Sequence, residues 1–280
     1  MVAALAGGVA IAVSLVAAGR VIAAPPANAI APAAAASAAS AAASVGGELV
    51  VFEAASLRDA FARLVPRFEK ENAPAKVVTN AAGSQELRAQ IEHGAAADVL
   101  ASADRKHMDA LEAQGLVVAP SLFTCNEPVL VVRPALAATV KSLADLPRVD
   151  RIVVGAPEVP IGAYTAEVLR KAGGKLGADF PQRVEAKVVS RELNVRQVLT
   201  KVRLGEADAG VVYRSDAVAA AGQVAVVAIP PELNVAAEYP IAVVKSAPHG
   251  ELARRWIKLV KSPAGAAALR EAGFVPCRAR

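Results

Sequence analysis

One stretch decides the fold, residues 48–71, which read ELVVFEAASLRDAFARLVPRFEKE. Residues 48–52 are largely apolar, which predicts a buried strand. From residue 56 to residue 71 apolar side chains recur every three or four positions, which predicts a helix with one buried face. The apolar positions of this helix are Leu57, Phe61, Leu64, Val65 and Phe68. A strand followed closely by a helix is the first half of a βαβ unit.

The same alternation continues along the chain. Further strands are predicted at 76–80, 99–102, 128–132, 151–155, 184–189, 209–212, 224–229 and 239–244. Further helices are predicted at 84–93, 105–114, 162–172, 195–204 and 252–261, with a tail from residue 262. This spacing predicts an α/β fold in which mainly parallel sheets are flanked by helices.

Two such α/β units, joined by two strand-like crossings, account for the order of elements most simply. We expect lobe I to comprise residues 47–124 plus 238–280 and lobe II to comprise residues 125–237. A hinge between the two lobes is expected at about residues 123–128 and 236–240.

The first 46 residues differ in composition from the rest. Residues 2–19 form an uncharged apolar run, and residues 21–46 are rich in proline, alanine and serine. We therefore expect an export signal over residues 1–29 and an Ala/Pro-rich linker over residues 30–46. An uncleaved membrane anchor is the alternative.

Charge and composition exclude several classes of protein. The 280 residues include 31 Lys and Arg against 26 Asp and Glu, a net charge of +5, and only 4% are aromatic. Because the basic residues are spread along the chain, a nucleic-acid-binding surface is disfavoured. The three histidines lack a common spacing, so we expect no metal centre and place all three facing solvent. They are His93, His107 and His249.

The two cysteines rule out a disulfide-framework protein and a four-cysteine zinc site. In an exported protein, Cys125 and Cys277 either pair with each other or remain two free thiols. The sequence leaves both possibilities open, because it gives no distance between the two residues.

Four junctions place a small or polar residue where the chain enters a helix. They lie at residues 54–57, 82–85, 159–164 and 192–196. The first N–H groups of a helix have no partner within it, and the helix dipole is positive there, so such ends attract anions. Each junction taken alone is more simply a helix cap, since serine and asparagine are preferred in caps.

These junctions lie within motifs that follow one another in a fixed order. The motifs are LVVFEAASL (49–57), NAAGSQEL (80–87), ADVLASAD (97–104), GAPEVPIGAY (155–164), NVR (194–196) and GVVYRSDA (210–217). In this order and spacing, from about residue 48 to residue 275, the chain resembles the molybdate-binding proteins of bacterial molybdate ABC importers. The resemblance implies a two-lobed, type II periplasmic-binding-protein fold that closes on a tetrahedral oxyanion. It also implies high-affinity binding of molybdate and tungstate in the periplasm, and delivery of the ligand to a membrane permease.

The resemblance assigns the ligand site to five residues of this sequence. Ser56 and Ser84 would donate hydrogen bonds through hydroxyl and main-chain N–H groups. Ile161 and Val195 would donate through main-chain N–H groups, and Tyr213 through its phenol. The resemblance further implies a monomer that is not an enzyme, with no cofactor and with molybdenum held only as its oxyanion.

Two residues depart from the pattern of that family. Glu53 stands where a small apolar residue is usual, and a carboxylate that pointed into the cleft would repel an anion, so we expect it to face away. Ile161 replaces a smaller residue, which affects the fit of the ligand more than the main-chain hydrogen bond.

The charged residues beside the motifs are expected to form ion pairs, cap helices or face solvent rather than bind the ligand. They are Arg58, Arg196, Arg214, Asp98, Asp104 and Asp216. Trp256 lies one turn from Val260 in the last predicted helix, which predicts core packing rather than ligand stacking.

Two alternative functions remain open on the same sequence, and a third is excluded. A receptor for another tetrahedral oxyanion, such as sulfate, would differ in the size of its cavity. A bilobal enzyme related to porphobilinogen deaminase would carry its cofactor on Cys125. The sensing domain of a transcription regulator is excluded, because the N-terminal apolar run occupies the place that a DNA-binding helix pair would need.

Overall fold

The computed structural model describes residues 47–277, so the predicted export signal and linker lie outside the described residues. The strands are β1 Glu48–Ala54, β2 Lys76–Ala82, β3 Val99–Ala101, β4 Val117–Asn126, β5 Pro128–Val132, β6 Ile152–Gly155, β7 Val188–Glu192, β8 Ala209–Tyr213, β9 Ala225–Ala228 and β10 Ala237–Val244. The helices are α1 Arg58–Glu71, α2 Ser84–Glu92, α3 Arg105–Ala113, α4 Pro160–Leu176, α5 Phe180–Glu185, α6 Val195–Arg203, α7 Arg214–Ala219, α8 Gly250–Val260 and α9 Pro263–Glu271. A short 3-10 turn, Ala55–Leu57, leads into α1.

The strands form two five-stranded sheets of the same design. The first has the order β2-β1-β3-β10-β4 and the second the order β7-β6-β8-β5-β9. In the first sheet β1 is parallel to β2 and β3, and β10 is antiparallel to β3 and β4. In the second, β6 is parallel to β7 and β8, and β5 is antiparallel to β8 and β9. One strand of each sheet therefore runs against the other four, which confirms two mainly parallel sheets flanked by helices. We refer to the first sheet with its helices as lobe I and to the second as lobe II.

The chain passes between the two sheets at two neighbouring points. Strand β4 of lobe I ends at Asn126, and β5 of lobe II begins at Pro128, so only Glu127 separates them. The return crossing leads into β10, where Ala237 pairs with Asn126. The predicted hinge lies in these crossings and remains a prediction.

Sequence periodicity is wrong in one segment and misses others. The strand predicted at 184–189 begins too early, because residues 184–185 are the end of helix α5 and β7 begins only at Val188. A proline in the first turn of α5 sets the backbone for a helix, and this short helix carries no clear apolar period. Strand β4 was missed because much of it is only partly buried and it contains Pro120 and Ser121. The predicted tail from residue 262 contains helix α9, capped by Ser262, whose hydroxyl accepts from the Gly265 N–H at 3.3 Å.

Trp256 packs in the core of lobe I, as the sequence predicted. Its indole is fully buried and meets the rings of Phe61 and Phe68 edge-on, at centroid distances of 5.4 Å and 5.3 Å. Edge-to-face contacts of this kind add to the hydrophobic gain from burial. They fix helix α8 against helix α1.

Cys125 and Cys277 form a disulfide bond, which decides between the two possibilities that the sequence left open. The same C-terminal segment is joined to β4 by a pair of main-chain hydrogen bonds between Cys125 and Val275, at 3.0 Å and 2.9 Å. The end of the described chain is thereby attached beside the crossing between the lobes. Over residues 47–277, none of the helices combines the length and the apolar character that crossing a membrane requires.

Candidate functional site

One small cavity lies between the lobes and brings the five sequence-predicted site residues together. The space in it that a water-sized sphere can reach is about 10 Å³, far too little for a sugar or peptide. Its lining residues come from the ends of strands and the starts of helices in both lobes. They are Ala54, Ala55, Ser56, Ala82, Gly83, Ser84, Ala103, Val159, Pro160, Ile161, Asn194, Val195 and Tyr213.

Three helices begin at this cavity. Helix α2 begins at Ser84 and helix α4 at Pro160, and neither has a side-chain hydrogen bond to its first N–H groups. Helix α6 begins at Val195, and the Asn194 side chain caps it by accepting from the N–H groups of Arg196 and Gln197, both at 3.1 Å. The first N–H groups of these helices, including those of Ser84, Ile161 and Val195, have no partner in the helical pattern. The cavity is therefore surrounded by main-chain donors and by the positive ends of helix dipoles.

The side-chain hydroxyls at the cavity are available mainly as hydrogen-bond donors. Ser84 Oγ already accepts from the Ala103 N–H at 3.0 Å, which leaves the hydroxyl proton of Ser84 for another partner. Ser56 Oγ is 2.8 Å from the Tyr239 phenol oxygen, in a hydrogen bond that either oxygen can donate. The Tyr213 phenol oxygen is buried and has no protein partner. These three groups together offer donors to whatever occupies the cavity.

Tyr213 is held rigidly and stays protonated. Its ring contacts those of Tyr164 and Tyr239 edge-on, at centroid distances of 6.3 Å and 5.8 Å. Burial raises the pKa of the Tyr213 phenol well above its ordinary value, and the neighbouring tyrosines add to this effect. The phenol is therefore a neutral O–H donor at any physiological pH.

Charged side chains surround the cavity without lining it. Arg196 follows Val195 directly, yet its guanidinium contacts Asp59 of lobe I and Asp216 of lobe II, each at 2.6 Å. This confirms the expected ion pair between the lobes. Arg58 and Arg214 are exposed to solvent. No cationic side chain is among the residues that line the cavity.

Glu53 is buried beside the site but does not line the cavity. Only 1% of the residue is exposed, and one of its carboxylate oxygens has no hydrogen-bond partner. Burial raises the pKa of the Glu53 carboxyl to about 8, although the positive charge of Arg58 opposes this shift. At neutral pH the group is therefore mostly protonated and adds little negative charge near the cavity.

The aspartates pair and cap as expected. Asp104 caps helix α3 by accepting from the His107 N–H at 3.0 Å. Asp216 accepts from the Tyr213 N–H at 3.2 Å, and Asp98 accepts from the Val50 N–H at 2.8 Å. In the described part of the chain, no group of three or more His, Cys, Asp and Glu side chains is placed to hold a metal ion.

The solvent-facing placement is wrong for His107. This histidine lies on the buried face of α3 with Met108 and Leu111, and only 4% of it is exposed. Its Nε2 is 2.9 Å from the main-chain oxygen of Glu158 in lobe II. Because of the helical period of α3, His107 lies on the same face as its apolar neighbours. Of the other two histidines, His93 is exposed and His249 is half-buried.

Contacts that sequence reasoning missed join the lobes around the cavity. Gln85 Nε2 donates to the main-chain oxygen of Leu193 at 2.7 Å, across the cleft. Together with the His107 and Arg196 contacts it holds the two lobes in a closed arrangement. No local sequence signal identifies such pairs, because Gln85 and Leu193 are 108 residues apart.

Removing the contact from Gln85 is expected to loosen closure without changing any charge. Gln85→Ala should speed ligand dissociation by about 2- to 10-fold, the kinetic equivalent of one hydrogen bond of 0.5–1.5 kcal/mol. Stopped-flow displacement of bound ligand measures this rate. Gln114→Ala is the matched control, because Gln114 makes a comparable exposed hydrogen bond to Glu92 within lobe I. An equal change in both variants would contradict a role for Gln85 in closure.

Comparisons with known proteins agree with this geometry. Residues 49–275 match the family model described as bacterial extracellular solute-binding protein. The molybdate-binding protein ModA of Mycobacterium tuberculosis is 38% identical over 228 residues, which cover 81% of this chain and 84% of that protein. The molybdate-binding protein ModA of Escherichia coli is 34% identical over 237 residues, which cover 81% and 89%. The periplasmic molybdate-binding protein of Azotobacter vinelandii has the same fold, with a TM-score of 0.72 at 23% identity over 82% of this chain and 100% of that one.

These relatives decide against the enzyme alternative. They are binding proteins, and Cys125, the residue that a cofactor-carrying enzyme would use, is held in the disulfide with Cys277. The expectation that the chain is not an enzyme is confirmed by its relatives. With the family model matching residues 49–275, the chain belongs to the bacterial extracellular solute-binding proteins.

Proposed function

We propose that this protein binds molybdate, and also tungstate, in the cavity between its lobes and delivers the ligand to the membrane permease of an ABC importer. The observation that carries the proposal is the set of donors around one small cavity. Ser56, Ser84, Ile161, Val195 and Tyr213 all line it. The relatives named as molybdate-binding proteins at 38% and 34% identity support the choice of ligand.

Neutral donors in a buried cavity favour a fully deprotonated oxyanion. Taking a dianion out of water is costly unless each oxygen receives hydrogen bonds. Main-chain N–H groups, hydroxyls and helix starts supply these bonds, and bonds to a charged acceptor are stronger than bonds between neutral groups. A protonated oxyanion would leave its own O–H without an acceptor, at a cost of about 1–3 kcal/mol.

The binding site requires no cofactor in this account. The protein contacts only the oxygen atoms of the ligand, so molybdenum has no direct protein ligand. The protein acts as a monomer, exported to the periplasm by the segment at residues 1–29 and freed from the membrane by cleavage before the linker at residues 30–46. The apolar run and the Pro/Ala-rich tract support this assignment.

Ligand binding closes the lobes. The five proposed donors come from both lobes, so the oxyanion completes its hydrogen bonds only when the lobes meet. A ligand shifts a conformational equilibrium by its difference in affinity for the two states, which here favours the closed one. The crossings near residues 123–128 and 236–240 act as the hinge, and lobe I (47–124 plus 238–280) moves against lobe II (125–237).

Removal of a single donor is expected to weaken binding measurably. Ser56→Ala and Tyr213→Phe each leave one ligand oxygen short of a hydrogen bond, and each should reduce affinity for molybdate by about 1–3 kcal/mol. Isothermal titration calorimetry measures the change. Ser246→Ala, at an exposed serine of lobe I, is the control and should bind like the original protein. Unchanged affinity in both site variants would remove these two residues from the site.

A titration with several oxyanions tests the proposed function. Calorimetry or thermal unfolding with molybdate, tungstate, sulfate and phosphate should show tight binding of the first two and much weaker binding of the others. A response to sulfate alone would assign the protein to receptors for a smaller oxyanion. No response to any oxyanion, together with a response to an organic acid, would contradict the proposal.

A further inference from the structure

Tyr239 lies behind the cavity and contacts one of its donors. It belongs to strand β10, which follows the return crossing between the lobes, and it is fully buried without lining the cavity. Its phenol oxygen is 2.8 Å from Ser56 Oγ. The ring is fixed by edge-on contacts with Tyr213, at 5.8 Å, and Phe274, at 5.3 Å. The phenol is therefore held in one position relative to the Ser56 hydroxyl.

The ligand determines which of the two hydroxyls donates. A deprotonated oxyanion can only accept hydrogen bonds, so Ser56 binds it by donating its own proton. The hydrogen bond between Ser56 and Tyr239, 2.8 Å long, is then donated by the phenol.

Ser56 consequently accepts from Tyr239 and has its own proton left for the cavity. Ser84 reaches the same state through the main-chain N–H of Ala103, which donates to its hydroxyl at 3.0 Å. Ser84 is oriented by a main-chain N–H group and Ser56 by a side chain, so both serines present only donors to a ligand. The arrangement at Ser56 depends on Tyr239, which follows the return crossing between the lobes.

We propose that Tyr239 is a positioning residue that fixes the Ser56 hydroxyl as a donor and thereby sets the preference of the cavity for an oxyanion without protons. This inference rests on the proposed oxyanion-binding function and deepens it. Without the phenol, the Ser56 hydroxyl can rotate and accept a hydrogen bond. A protonated oxyanion such as hydrogen phosphate then finds the acceptor that the original cavity withholds.

A double-mutant cycle tests the proposal, with molybdate and phosphate as the probes. Tyr239→Phe should weaken molybdate binding about 5- to 10-fold and narrow the ratio of molybdate to phosphate affinity. In the Ser56→Ala background the same substitution should change molybdate affinity by less than about twofold, because the group through which Tyr239 acts is gone. A role in packing alone would give the same loss in both backgrounds, and that result would overturn the proposal.

Two further variants complete the experiment. Ser246→Ala removes an exposed hydroxyl of lobe I that does not line the cavity and leaves Ser56 untouched, so affinity should stay unchanged. Fluorotyrosine at position 239 keeps the shape of the side chain and makes its phenol a stronger donor, so it should strengthen molybdate binding only where Ser56 is present. This variant decides the matter if Tyr239→Phe does not fold. If the original protein binds no oxyanion, the proposed function is wrong. If it binds oxyanions normally but the Tyr239 and Ser56 substitutions change molybdate affinity independently of each other, only this inference is wrong.

Discussion

Loss of the disulfide between Cys125 and Cys277 is expected to lower the free energy of unfolding by about 2–5 kcal/mol. The bond joins residues 152 positions apart, so it removes a large part of the freedom of the unfolded chain. Urea unfolding of the oxidised protein, the reduced protein and the Cys125→Ser/Cys277→Ser variant measures the effect. The reduced protein and the double variant should unfold at the same, lower urea concentration.

The position of the disulfide adds a second expectation for the same samples. Cys125 lies near the end of β4, one residue before Asn126, where the chain leaves lobe I. Val275 pairs with Cys125 through two main-chain hydrogen bonds, so some order should remain at this end without the covalent bond. Equal unfolding midpoints for the oxidised and reduced proteins would contradict a stabilising role for the bond.

The protein should become less stable as pH rises from about 5 to about 8, because of Glu53. Burial raises the pKa of this carboxyl from 4.5 to about 8 in the folded protein. Between these two values the folded state binds a proton that the unfolded state releases, so the contribution of Glu53 to stability is greatest below pH 4.5 and falls until the folded group ionises. At 1.36 kcal/mol per pH unit over about three units, the contribution of Glu53 to this loss is about 4 kcal/mol.

Glu53→Gln isolates that contribution. The amide keeps the size of the side chain and does not ionise, so the variant should lack most of the decline and should be more stable than the original protein at pH 8. Urea unfolding at pH 5, 6, 7 and 8 gives the comparison. Asp59, a charged neighbour of Glu53, is only partly buried, so Asp59→Asn is a control that should leave most of the decline in place. Parallel pH profiles for the original protein and Glu53→Gln would show that Glu53 is not the group responsible.

The sequence predicts the parts of this protein that depend on local pattern. The alternation that begins with residues 48–71 identifies most strands and helices, because each buries one face at its own period. It fails at β4, where Pro120 and Ser121 interrupt the pattern, and at α5, which is too short to show a period. Strand β5, which follows the first crossing, is recognised because it is fully apolar.

Part of the candidate site can likewise be predicted from the sequence, and part cannot. The helix starts at Ser84 and Val195 are visible as motifs, and the resemblance to molybdate-binding proteins identifies them as a site. The hydrogen bond between Ser56 and Tyr239 joins residues 183 positions apart, so no local pattern contains it. The burial of His107 was also missed, because its partner is a main-chain oxygen in the other lobe, whose position depends on how the two lobes meet.

Anomalous X-ray diffraction from crystals grown with molybdate locates the ligand without ambiguity, because the molybdenum atom reveals its own position. We expect one strong anomalous peak in the cavity between the lobes. The ligand oxygens should lie within about 3 Å of donor atoms from both lobes. These donors are the hydroxyl or main-chain groups of Ser56, Ser84, Ile161, Val195 and Tyr213. A peak held instead by arginine side chains outside the cavity, with the cavity empty, would contradict this expectation.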